Sequence, residues 1–69
     1  MPRAPDLVDM IEEVRREVAM RHHVYGLRVQ EGRMNRKRAD WQIEVMEAVL
    51  ARLVELNGGN DGRPSGLLL

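Results

Sequence analysis

His22 and His23 are adjacent, and the 69-residue chain has no other histidine. A helical metal pair needs ligands three or four residues apart on one face. The positions so spaced from the two histidines are Val18, Ala19, Met20, Tyr25, Gly26 and Leu27, none a usual zinc ligand, Tyr25 being the nearest to one. No metal site within one chain is expected. Ser65 is the single serine, set in a glycine-rich stretch with no histidine at a fixed spacing, and threonine and cysteine are absent, so no activated hydroxyl or thiol nucleophile is expected. Glu44 and Glu47 lie one helical turn apart, the spacing of an acid and base pair, but the sequence gives them no cleft. No phosphate-cradling loop, dinucleotide-binding glycine pattern or HExxH helix occurs. The sequence assigns no catalytic, cofactor-binding or metal residue, and an enzyme is not expected.

Charge carries more information. Eleven Lys and Arg balance eleven Asp and Glu, so net charge alone gives no argument for nucleic acid, an anionic membrane or an acidic substrate. The distribution is uneven: residues 1–14 sum to −3, residues 15–38 to +6 and residues 39–69 to −3. Arg33, Arg36, Lys37 and Arg38 form the densest run and are the candidate contacts for an anion or an acidic partner. Cations at a helix N-terminus oppose its macrodipole, and an anionic partner would relieve that conflict. The competing reading is a solvated run answered by Asp40 and Glu44, or by the acidic termini of a second copy.

These residues are positioned by two amphipathic segments. Pro5 is placed as a first-turn proline, with Asp6 and Asp9 near the positive dipole end. Leu7, Ile11, Val14, Val18, Tyr25 and Val29 then recur on one helical stripe, interrupted at Arg21 and His22. Glu12 with Arg16 and Glu17 with Arg21 have the favourable acid-first spacing. Gly26 costs about 1 kcal/mol in a helix interior, which makes Tyr25-Gly26 the point where a bend or break would fall, and Gly32 reads as the stop. Asn35 is the N-cap of a second helix from about 36 to 56, with Ala39, Ile43, Met46, Leu50, Leu53 and Asn57 on its stripe. The glycine-rich stretch from Asn57 to Gly62 ends it. The division expected is an N-terminal extension over 1–5, a helical hairpin over 6–57 and a flexible tail over 58–69, with the residues after about Asn60 dispensable for folding.

The fold class is therefore all-α, an antiparallel two-helix hairpin. One helix seam buries too little apolar surface for a domain of this size. Each helix also carries a second apolar strip: Met20, Val24 and Leu27 on the first, Trp41, Val45 and Ala48 on the second. These six residues are the candidate interface of a homodimeric four-helix bundle. The rival is a three-helix monomer in which the chain folds back at Gly26.

No segment reaches the roughly 18 uninterrupted apolar residues of a membrane span, and no signal peptide is read at the N-terminus. Without cysteine, a reducing cytoplasm is the expected compartment.

Glu17, Met20-Arg21, Val24-Tyr25, Gly32-Arg33-Met34, Ala39-Asp40, Gln42-Ile43, Met46-Glu47-Ala48 and Leu50 together resemble a pattern in short, mostly uncharacterised helical proteins encoded in phages and prophages of Proteobacteria. The pattern covers about the middle half of the chain. In that group a proline follows the Val-Tyr pair and a Thr-x-x-Glu capping box follows the Gly-x-Met. Here Gly26 stands at the first place, and Asn35 with Arg38 at the second. The resemblance implies a phage or prophage origin and supplies no activity. By analogy with phage accessory proteins, two function classes follow. The first is a dimerising helical protein-interaction module. The second is an inhibitor or regulator, anti-CRISPR-like for example, that engages a host nucleic-acid-handling complex, or nucleic acid directly, through the basic tip.

Overall fold

The computed structural model describes residues 3–61 and contains two helices, α1 (Leu7–Gln30) and α2 (Arg36–Leu56), packed against each other as a hairpin. The described residues contain no strand.

Local chemistry sets each boundary. Asp6, not Pro5, opens α1: its carboxylate accepts from the Asp9 amide at 2.9 Å while the Asp9 carboxylate accepts from the Asp6 amide at 3.0 Å, a reciprocal capping box. Pro5 thus precedes the cap, because only Asp6 has a side chain that reaches back to the third helical amide. Asn35 opens α2 as expected, its Oδ1 accepting from the Lys37 and Arg38 amides at 2.8 and 3.2 Å.

Both helices close in the same way. Gly32 donates to Val29 O and Arg33 to Arg28 O. At the other end Gly58 donates to Glu55 O and Gly59 to Val54 O. These are the paired bonds of a Schellman turn, and the φ of +73° at both Gly32 and Gly58 is the left-handed conformation it requires. Of the expected tail, the residues up to Asp61 are tied down. Asn57 Nδ2 donates to Asn60 O at 3.0 Å, and Arg15 on α1 donates to Asp61 O at 2.6 Å. The rest of that tail lies outside the described residues.

The helix α1 runs through Gly26 without interruption, so the chain is the two-helix hairpin and not the three-helix rival that would fold back at Gly26. The weak propensity of one glycine is offset where the segment on either side packs along a continuous seam. A Cβ built on Gly26 meets nothing within 4 Å. Gly26→Ala is accordingly expected to raise the melting temperature, by the several degrees that correspond to about 0.5–1 kcal/mol in a domain this small. A lower melting temperature would mean that this position bends in solution.

Every residue of the two predicted stripes is at least partly covered, yet among the described residues only Ile11, at 0% exposure, and Ala39, at 2%, are fully buried. Arg21 bridges the gap in the α1 stripe. Its guanidinium pairs with Glu17 at 2.8 Å and donates across the seam to Gln42 O on α2 at 2.9 Å. Arg16 pairs with Glu13 one turn away, not with Glu12 as the spacing suggested.

Candidate functional site

The hairpin presents three surfaces, each set by helical periodicity.

The first is the basic tip. Gly32 turns the chain, and Arg33 and the first turn of α2 project from the end of the molecule. Arg33, Arg36, Lys37 and Arg38 are all exposed. Arg33 approaches Glu31 at 3.5 Å, whereas Arg36, Lys37 and Arg38 make no ion pair among the described residues. Neither Asp40 nor Glu44 forms a direct ion pair with them, although Arg36 and both carboxylates border the same recess. Just below the tip the Tyr25 ring has guanidinium carbons on two sides, Arg21 at 5.8 Å and Arg28 at 5.9 Å from its centroid. Such contacts hold the ring at the seam by cation–π attraction.

The second surface is a shallow recess of about 280 Å³ on one side of the seam, where α1 contributes His22, Tyr25 and Gly26 and α2 contributes Asp40, Glu44 and Glu47 among others. The absence of a side chain at Gly26 leaves this space open. His22 Nε2 lies 3.3 Å from Glu47 Oε2, linking the helices. Glu44 and Glu47 thus border a depression that the sequence reading did not give them, because it depends on the register between the helices. Among the described residues no group of three or more His, Asp or Glu side chains gathers closely enough to hold a metal ion.

The third surface is apolar. Met20, Leu27, Trp41, Val45 and Ala48 are exposed and Val24 is half-buried, so all six expected interface residues are at least partly accessible. Met10, Val49 and Leu56, which sequence reasoning did not place there, are also exposed. Trp41 at 63% and Leu56 at 59% are the most open of the large apolar side chains. Stepping about 100° per residue from the seam places these side chains on the outer faces and on the side away from His22, Gly26 and Glu47. The apolar side chains are therefore kept off the recess side, while Glu13, Glu17, Arg28, Arg38 and Arg52 share their faces. The apolar side chains occur along the whole length of the hairpin, from Met10 and Leu56 at the end bearing the termini to Leu27 and Trp41 near the tip.

The opposite end of α1 is acidic. Asp9 sits in the capping box and also accepts from the Arg3 guanidinium, with one bond at 3.0 Å. The Arg3 hydrogen bond and the Asp6 amide hold the Asp9 carboxyl well below the usual carboxylate range, and Asp9 in turn raises the Arg3 guanidinium. Because the folded value is depressed, this contribution is present above the unfolded value of about 3.9 and is lost as pH falls below it.

No family model, curated protein or solved structure matches the chain. No helix among the described residues is long and apolar enough to cross a membrane.

Proposed function

We propose that the chain is a small, non-enzymatic accessory protein of the phage type that works by association, two hairpins joining through their apolar faces into a four-helix bundle. One observation carries the reading: among the described residues two fully buried side chains stand against seven large apolar side chains that are 40% exposed or more. A monomer rarely leaves so many large apolar side chains open to water beside so small a core, whereas a two-fold dimer presents the same face on both subunits and covers it. The segregation of that face from the His22 and Glu47 side is what such pairing requires. The test is the mass of the chain in solution as its concentration is raised.

A second reading is supported by the unpaired Arg36, Lys37 and Arg38. In it the tip engages a host nucleic-acid-handling complex, or nucleic acid itself, as an inhibitor or regulator would. That reading requires the tip to remain uncovered in the assembled protein. It predicts binding that weakens steeply with salt, since each neutralised phosphate contributes nearly one unit of slope on duplex DNA.

A further inference from the structure

We infer that the partner of the basic tip is the acidic end of a second copy of this chain, so that the two hairpins pair end over end and not tip beside tip. The inference rests on the dimer reading and adds its orientation.

The ends of the hairpin differ in sign. Between Arg28 and Arg38 five cations stand against Glu31 alone. At the other end Asp6, Asp9, Glu12 and Glu13 occupy the cap and first two turns of α1, with Arg3 paired to Asp9 and Arg16 to Glu13. The surplus is positive at the tip and negative at the start of α1. The two termini at each end of an antiparallel hairpin carry opposing helix dipoles, so side-chain charge decides the field there.

Exposed apolar side chains occur at both ends and between them, from Met10 and Leu56 to Leu27 and Trp41, so a second copy can cover them in either orientation. Apolar burial, being non-directional, does not choose between them. Charge does: side-by-side tips crowd ten cations around two glutamates, whereas reversed hairpins set each tip against the partner's acidic turns. End-over-end pairing also supplies the direct ion-pair partners that Asp40 and Glu44 are not.

The absence of cysteine makes the test clean. A single Arg33→Cys variant carries a nitroxide at the exposed tip, and pulsed dipolar spectroscopy reads the distance between the labels of a pair. The 24 residues of α1 span about 36 Å at 1.5 Å per residue, so end-over-end pairing places the labels about 35 Å or more apart. Tip-beside-tip pairing places them within about 20 Å, given helix axes 8–10 Å apart. A short distance overturns the orientation and leaves the dimer standing; no dipolar signal from a monomeric sample overturns both.

A second variant removes dependence on the label. Replacing Arg36, Lys37 and Arg38 together with Gln is expected to weaken association about tenfold near 0.1 M salt, and raising salt weakens the unaltered dimer. Tighter association of the triple variant, or of the unaltered chain at high salt, overturns the proposal. So does an unchanged dimer whose triple variant has instead lost binding to DNA or RNA.

Discussion

Val45→Glu is expected to abolish association at micromolar concentration. Val45 is 41% exposed on the hairpin and lies on the apolar side, away from the recess. In an isolated hairpin the substitution is a surface change, worth no more than about 0.5 kcal/mol. In a two-fold dimer it buries two carboxylates without partners, a penalty on the order of 3 kcal/mol or more, which weakens association over a hundredfold. Helicity is expected to fall with it, because among the described residues the separated hairpin has only Ile11 and Ala39 fully buried. Glu44→Gln on the recess side is the matched control and leaves both mass and helicity unchanged. Identical behaviour of Val45→Glu and the control would contradict the placement of the interface.

Ile11→Ala carries the second large effect, through a different mechanism. Ile11 is the largest fully buried side chain among the described residues, and it sits where α1 meets the last turns of α2. Truncating it removes transfer free energy and leaves a cavity, together about 2–5 kcal/mol. Small domains have only about 5–15 kcal/mol in total, so the melting temperature should fall by more than ten degrees or the cooperative transition should disappear. Unlike Val45→Glu, this change destabilises the hairpin at every concentration. A shift of only a degree or two would mean that Ile11 is not a seam residue in solution.

How much of this was legible in the sequence depends on how local the physics is. Asn35, Gly32 and the glycines after Asn57 bound their helices as read, because caps and left-handed stops are decided within a few residues. The α2 boundaries follow directly. The apolar stripes were also legible, since each records which face of its own helix avoids water. Pro5 misled because its fixed φ suits the first turn, but the reciprocal bonds of Asp6 and Asp9 set the start two residues later. Gly26 marked where a bend or break would fall, but its intrinsic cost is small beside the packing of the turns around it.

What remained hidden depends on where one helix sits along the other. Arg21 looked like a gap in a stripe, whereas its guanidinium finds a carbonyl on α2 and the face of Tyr25. The depression beside Glu44 and Glu47 exists only because His22 and Gly26 stand opposite. Met10, Val49 and Leu56 gain importance from the same register, which places them on one side with Val45. The basic run was visible at once. That Asp40 and Glu44 form no direct ion pair with it is a fact of side-chain placement, not of composition.

The central claim is that this hairpin completes its core by pairing with itself. Sedimentation equilibrium of the unaltered chain measures that directly, since one chain weighs 8.0 kDa. The account predicts a mass that rises to twice that value and holds there as concentration passes through the micromolar range. A single-chain mass at every concentration, with full helicity and a cooperative melt, would contradict it, because the hairpin would then be stable with its apolar face open to water.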